Sequence, residues 1–375
     1  MRVALVHDWL TGLRGGERVL DELAGLWPDA ELYTLFHVAG STTPRIDALR
    51  IHASPLDRVP GSGRHYRKLL PLHPWAARRL RVEDCDVVLS ISHAVAKAIR
   101  VAPGIPHLCY CLTPMRYVWD QIDTYLGRGV RRGLALPLVA ALRRFDRATS
   151  GPAQVTRFLA ISRVVADRVR RRYDRDAAVL YPPIDCERFR PNDRPPEDFY
   201  LLVGAFVPYK REDLAIQTLG RLGRRVVVVG EGPRRAGLQG RAARSIEFTG
   251  RISDPEIADL YARARALLYP QEEDFGLCAL EAQASGRPVI AYGRGGATET
   301  VLPLEGPPDA ASRATGVWFD AQSPDSLVRA IHRFEAAEPF FDAKLIRSHA
   351  ERFATPRFLE EIQREVATLL EGDAR

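Results

Sequence analysis

Lysine is scarce in this chain. Lys68, Lys97, Lys210 and Lys344 are the only four among 54 basic residues, the rest being arginine. The formal net charge is +7, but so uniform a bias reflects genome base composition more than a binding need. No recognised nucleic-acid module or aromatic stacking motif accompanies it, so nucleic acid is not an expected partner. Cysteine is sparse too: Cys85, Cys109, Cys111, Cys186 and Cys278 are an odd number, scattered, with no paired C-x-x-C knuckle. That pattern excludes a disulfide framework and a zinc site, and no metal is expected. Cys109 and Cys111 lie two apart in a strand-like run, face one side, and read as small apolar core residues. Long hydrophobic runs are missing as well. The most lipid-like, GLALPLVAAL from Gly133, is about half the ~20 residues of a membrane span. RVALV enters a strand at once, without a charged-then-apolar leader. The expectation is a soluble protein of a reducing compartment, the cytoplasm.

What is present is enough chain for two domains. At ~150 residues per domain, 375 residues give two or three, and 46% hydrophobic residues can build cores of that size without disulfides. The first half carries continuous apolar runs at Val3–Val6, Asp86–Ser92, His107–Leu112 and Arg157–Ser162, separated by helix-like stretches such as ERVLDELAGLW. Such runs imply parallel strands covered on both faces. Pro182 and Pro183 stop this pattern, and the polar, proline-rich CERFRPNDRPPEDF suits a linker. The alternation then restarts with YLLVGAF, RRVVVVGEGP, SIEFTGRI, RALLYP, PVIAY and GVWFD, helices between them. Phe358, Leu359, Ile362, Val366 and Leu369 keep helical spacing near the end. The expected division is one parallel-sheet domain over 1–185, a linker over 186–198, a second parallel-sheet domain over 199–350 and a closing helix over 351–375. Open parallel sheets take ligands beyond the carboxyl ends of their strands.

Charge is uneven. Residues 51–150 hold 16 basic against 7 acidic residues, whereas 251–375 hold 14 against 21. Within the basic region HYRKLLPLHPWAARRLR mixes aliphatic, tryptophan and arginine side chains. It reads either as a surface for anionic lipid or a phosphate-bearing acceptor, or as a solvated amphipathic helix pair.

The most informative segment is PQEEDFGLCALEAQASGRPVIAYGRGGATETV, Pro270 to Val301. A strand ends at Pro270, an acidic loop follows, and a helix starts near Leu277 after Gly276. A helix start presents unpaired backbone N–H groups and the positive end of the dipole, which suits a phosphate or polar sugar oxygens. Glu273 and Glu281, with seven residues between them, are poor partners for phosphate and good acceptors for hydroxyls. Taken singly, Glu273 reads as well as an exposed loop acid and Glu281 as a local cap. A ligand with both a diphosphate and many hydroxyls fits the whole.

That string resembles the donor signature of family-4 retaining glycosyltransferases, the E-x7-E enzymes of GT-B fold. MRVALVHDWLTGLRGGERVL, CYCLTPMRYVWD, FLAISRVVADRV, VLYPPID, LLVGAFVPYKRED, VVVVGEGP and FTGRISD follow in order, and are similar to bacterial polysaccharide mannosyltransferases. The resemblance implies an α/β GT-B fold, two Rossmann-like parallel-sheet domains facing across a cleft. It implies that Lys210 holds the donor diphosphate, with Arg211 as helper, and that Lys210 and Glu273 are the catalytic pair. Glu273 would bind sugar hydroxyls and Glu281 the ribose, while Asp274, Phe275, Gly276 and Leu277 supply the helix-start contacts. Gly15 and Gly16 would let the N-terminal loop approach the phosphates. Asp8, His93, Arg116 and Tyr117 are acceptor-side candidates. Two positions depart from the family: Ala205 stands where an arginine is usual, leaving Arg211 or Arg116 to supply the charge, and Leu112 replaces the histidine of Y-C-H-T-P. The implied reaction is transfer of a hexose, mannose from GDP-mannose first, to a lipid-linked glycan of exopolysaccharide or O-antigen assembly. No cofactor is implied, and the basic region 51–150 would rest on the inner membrane face. A UDP-sugar donor and a catalytically impaired nucleotide-sugar-binding homologue are the alternatives.

Overall fold

The structure, a computed structural model, describes residues 1–375 except 121, 123–129, 193, 374 and 375. Asp193 of the expected linker and Arg128 of the basic region lie outside the described residues. Two compact units divide the chain. One is Met1–Pro182 with Phe358–Arg375, the other Pro183–Arg357.

The first unit is built on strands β1 (Val3–His7), β2 (Glu31–Thr34), β3 (Arg50–Ala53), β5 (Val87–Ser92), β7 (His107–Cys111), β8 (Arg157–Ala160) and β9 (Ala177–Val179). They pair in the order β3-β2-β1-β5-β7-β8-β9, every pair parallel. A separate two-stranded ribbon joins β4 (Arg81–Val82) to β6 (Arg100–Val101). The central strands β1, β5 and β7 are buried along their whole length, so the uninterrupted apolar runs of the sequence are a consequence of cover on both faces. Edge strands are harder to read. β3 is RIHA, with no residue fully buried, and β9 is exposed at two of its three residues; neither carries the apolar signal.

The second unit repeats the plan with β10 (Tyr200–Val203), β11 (Val226–Val229), β12 (Ile246–Gly250), β13 (Ala266–Tyr269), β14 (Val289–Tyr292) and β15 (Gly316–Phe319). Their order is β12-β11-β10-β13-β14-β15, again all parallel. Leu202, Val228, Leu268, Ile290 and Val317 of the sheet pack with Ile216, Leu219, Ile331 and Phe334 of the covering helices, each burial contributing roughly 1.5–3 kcal/mol. Helix Pro324–Ala337 supplies the last two of these. Helix Asp254–Arg263 starts at a capping box, Ser253 with Glu256, worth about 1 kcal/mol.

Helix Thr355–Asp373 closes the chain. From Phe358 onward it belongs to the first unit, with Phe358, Ile362, Val366 and Leu369 buried and the Phe358 ring edge-on to Tyr110 at 5.7 Å. Cys109 and Cys111 are buried and form no disulfide. Together these findings give an α/β fold of two Rossmann-like parallel sheets, of seven and six strands. Among the described residues no helix is long and apolar enough to cross a membrane.

Candidate active site

Lys210 and Glu273 meet where the second sheet changes direction. Its strand order reverses between β10 and β13, and loops leaving the carboxyl ends of strands at such a reversal diverge to leave a crevice. Lys210 ends the short turn Pro208–Lys210 after β10, and Glu273 sits in the loop after β13. Their side chains are in direct contact, Nζ against Oε1. The other carboxylate oxygen accepts from the Tyr269 hydroxyl at 2.7 Å. Burial works against the Lys210 charge, but the Glu273 carboxylate more than reverses this and holds the ammonium above its ordinary range. Burial and the same carboxylate push the Tyr269 hydroxyl well up. Lys210 is therefore held as a cation near neutral pH, in contact with the Glu273 side chain.

The loop beyond Glu273 is shaped by glycine. Gly276 takes φ +108 and opens helix Leu277–Ala284, and a Cβ there would stand 2.9 Å from the Tyr269 hydroxyl. Behind it, Asp274 and Phe275 are buried, the phenyl ring edge-on to Phe353 at 5.8 Å. Their side chains pack inward. What this stretch offers a ligand is backbone, the first N–H groups of the helix, which have no carbonyl to bond within it and favour an anion. Glu281, one turn on, accepts from the Tyr261 hydroxyl at 2.8 Å.

Several residues of this site had no role assigned from sequence. Gly296, in the loop after β14, donates its N–H to the Glu273 carbonyl at 2.7 Å, so a second strand-end loop holds the first. The GRGG string was its signal. Arg211, expected as a diphosphate helper, spends its guanidinium on Gln322, with bonds of 3.1 Å to Oε1 and 3.3 Å to the carbonyl. Gln322 in turn donates to the Pro270 carbonyl at 2.8 Å. Arg211 therefore braces the loops carrying Lys210 and Glu273. Ala205 is exposed on the loop after β10, and Arg116 lies in the other unit.

Glu212 is also new. It is buried, one oxygen accepting from the Val207 N–H at 3.0 Å, the other without a hydrogen bond and 3.7 Å from Arg234. Burial pushes its carboxyl up to about 7, against the pull of backbone bonds, Arg234 and Lys210. The folded chain thus holds a proton here that the unfolded chain releases between roughly pH 4.5 and 7, so this group's contribution to stability falls as pH rises through that window. Glu212→Gln is expected to flatten that slope, gaining about 2 kcal/mol over the parent at pH 8 and little at pH 5. Denaturant unfolding at the two pH values measures it.

The first unit has its own reversal, between β1 and β5, and Asp8 and His93 follow those two strands. Asp8 is fully buried and accepts four backbone N–H bonds, from His93, Ala94, Val95 and Ala96, at 2.7–2.9 Å. All of its acceptor capacity is taken, and it organises the loop after β5. Burial raises its pKa, but His93 and these amides outweigh that and hold the carboxyl below its usual range. His93 lies with Nδ1 3.1 Å from Asp8 Oδ2 and its ring edge-on to Trp9 at 4.5 Å; burial lowers its pKa. Gly15 opens helix Gly15–Leu26, and a Cβ on Gly16 would come 2.8 Å from Leu112 Cδ1 and 3.2 Å from His7 Cε1. Arg116 and Tyr117 begin helix Arg116–Trp119, both half-buried. Among the described residues no group of three His, Cys, Asp or Glu side chains is placed to hold a metal ion.

Comparison with known proteins bears on the family and the fold. The model of Glycosyltransferase Family 4 matches residues 13–188, and that of Glycosyl transferases group 1 matches residues 184–351. A D-inositol 3-phosphate glycosyltransferase of Streptomyces bingchenggensis is 32% identical over 234 residues, 52% of this chain and 49% of the relative. The chain spans about half the length of the curated relatives it matches at the head of that comparison. Among solved structures, Anabaena HepE in complex with UDP-glucose superposes with a TM-score of 0.69 at 14% identity, covering 98% of this chain and 99% of that one. Sucrose-phosphate synthase from Thermosynechococcus elongatus gives 0.70 at 16%, covering 99% and 100%. With both family models matched in succession, sheets in the order described and the donor-side string intact, the chain belongs to the family-4 glycosyltransferases of GT-B fold.

Proposed function

We propose that the chain transfers a hexose from a nucleoside diphosphate sugar to an acceptor hydroxyl, with retention at the anomeric carbon. The observation that carries this reading is the Lys210–Glu273 pair at the β10/β13 reversal. Breaking the bond between the anomeric carbon and the diphosphate leaves negative charge on a phosphate oxygen. An ammonium held in place before the reaction stabilises that charge without reorganising at the moment of transfer. The N–H groups opening helix Leu277–Ala284 add a second anion contact. Glu273, held by Tyr269, accepts from sugar hydroxyls and Glu281 from the ribose. The new bond joins the anomeric carbon to the acceptor oxygen on the face the diphosphate leaves, and the departing phosphate oxygen takes the acceptor's proton.

For the donor, the ordered resemblance to polysaccharide mannosyltransferases supports GDP-mannose, and for the acceptor a lipid-linked glycan of exopolysaccharide or O-antigen assembly. A second reading rests on the relatives themselves. HepE is bound to UDP-glucose, and the curated relatives are named for D-inositol 3-phosphate. Purified protein offered GDP-mannose and UDP-glucose, each with a polyprenyl-diphosphate glycan or D-inositol 3-phosphate, separates these by product mass. Transfer from GDP-mannose to the lipid-linked glycan is the expected result. Transfer from UDP-glucose alone overturns the donor, and donor binding without product in any combination makes the chain a binding homologue.

A further inference from the structure

Glu212 has no part in the chemistry proposed above, yet its side chain turns back toward Lys210. It is the first residue of helix Glu212–Arg221, which follows the turn Pro208–Lys210 through Arg211, a residue held at φ +53. One carboxyl oxygen accepts from the Val207 N–H at 3.0 Å, a group shared with the Ala205 carbonyl at 2.9 Å. The Val207 carbonyl in turn accepts the Lys210 N–H at 3.0 Å. The backbone of Val207 thus ties Glu212 on one side to Lys210 on the other. A second loop nests against this one. Phe206 donates its N–H to the Glu231 carbonyl at 2.9 Å, and a Cβ on Gly232 would stand 2.6 Å from the Phe206 carbonyl oxygen. Arg234 follows on that loop.

The other carboxyl oxygen is stranded. Glu212 is 2% exposed, and among the described residues this oxygen accepts no hydrogen bond. Arg234 Nη1 lies 3.7 Å from it and nearer to Asp213 Oδ1, at 3.4 Å. The other charged groups nearby are engaged. Lys210 touches Glu273 and stands 5.7 Å from the centre of the Tyr209 ring, while Arg211 lies 3.7 Å from Asp213 and bonds to Gln322. Helix Pro324–Ala337, packed along the same core, brings the apolar Leu327, Ile331 and Phe334. A buried acid short of partners is costly as an anion. Burial accordingly keeps the proton on Glu212 up to about pH 7, against the pull of backbone bonds, Arg234 and Lys210. An anion set against Lys210 offsets the ammonium's share of that pull and holds the proton more firmly.

We propose that the nucleotide sugar binds the form of the chain in which Glu212 carries its proton, so that donor binding and protonation of this carboxyl favour each other. Ionised, Glu212 is a second carboxylate, after Glu273, near the cation that receives the diphosphate. Its repulsion reaches the incoming dianion through a poorly screening interior. Neutral, it keeps its bond to the Val207 N–H and leaves the Lys210 charge to the ligand. Glu212 is then a positioning residue, acting through Lys210 without touching the donor. Such coupling is reciprocal: a proton taken up on binding means affinity lost as pH rises through neutrality. It rests on the donor role of Lys210 proposed above and adds the pH regulation of that site.

The test is calorimetric titration of the full chain with GDP-mannose and with UDP-glucose at pH 6, 7.5 and 8.5, each in two buffers of different ionisation enthalpy. Sugar diphosphates are used because a free nucleoside diphosphate has a terminal phosphate that itself titrates near neutrality, whereas theirs is esterified. Affinity should fall about ten-fold from pH 6 to pH 8.5, with net proton uptake on binding at pH 7.5. Glu212→Gln should bind with one affinity, to within about two-fold, at all three pH values and take up no proton. Arg234→Gln is the second variant. It keeps the carboxyl, removes a cation that favours its ionisation, and should move the fall in affinity to higher pH. A Glu212 that is merely structural would change unfolding midpoints and leave the pH profile of binding as in the parent. Equal parent affinity at pH 6 and 8.5, proton release on binding, or a Glu212→Gln chain that keeps the parent's profile would each overturn the coupling. Binding with a flat profile overturns the coupling alone, whereas binding of neither sugar nucleotide at any pH overturns the donor reading together with it.

Discussion

Lys210→Ala is expected to lower turnover of the nucleotide sugar by two to three orders of magnitude, the usual cost of removing one preorganised donor from a developing oxyanion. The reason is local. Arg211, the next cation along the chain, is bound to Gln322, and Ala205 stands where the family's second arginine would be, so the donor side has little in reserve. The same substitution removes the cation from beside the enclosed Glu273 carboxylate, which still accepts from the Tyr269 hydroxyl. Stability should therefore fall too, and unfolding midpoints measured beside the kinetics separate the two effects. A double variant, Lys210→Ala with Glu273→Gln, should recover midpoint but not turnover, since it removes the enclosed carboxylate charge without restoring the cation. Turnover within a few-fold of the parent in the single variant would end the role assigned to Lys210.

Gly296→Ala is expected to be the most damaging small change in the second unit. The added methyl would stand 2.2 Å from the Phe275 carbonyl oxygen and 2.3 Å from its Cα. Both are backbone atoms of the segment that leads into helix Leu277–Ala284, so relief requires moving the loop that carries Glu273. We expect a loss of about 3 kcal/mol or more, the upper end of overpacking costs, and at least a ten-fold loss of nucleoside diphosphate affinity. Gly293→Ala, three residues earlier, is the control: its methyl would meet only the Trp318 side chain, at 3.3 Å, and should cost under about 1 kcal/mol. Equal behaviour of the two variants, by thermal unfolding and by titration with nucleotide, would contradict the proposed locking of one loop by the other.

How much of this was legible beforehand follows from burial. The central strands of both sheets are covered on both faces, so their apolar runs are unbroken, and Val3–His7, Val87–Ser92 and Val226–Val229 could be read directly. Edge strands such as Arg50–Ala53 lie half in solvent and carry mixed residues, which period alone does not separate from loop. Of the site, Glu273, Glu281 and Gly276 were visible because a strand end, an acidic loop and a helix start lie within one short string. Lys210 was visible only through the family resemblance. Tyr261, Gly296 and Gln322 were not assigned because their contacts span twenty residues of sequence or more, and Tyr269 and Glu212 because their importance depends on burial. Asp8 shows the converse. Its residue type suggested chemistry, yet four amides brought together by folding occupy it.

The most direct measurement is calorimetric titration of GDP and UDP into the full chain and into Lys210→Ala. The account predicts saturable binding of at least one nucleoside diphosphate by the parent, weakened at least ten-fold by the substitution. Heat indistinguishable from dilution for both nucleotides, or equal affinity in parent and variant, would contradict it.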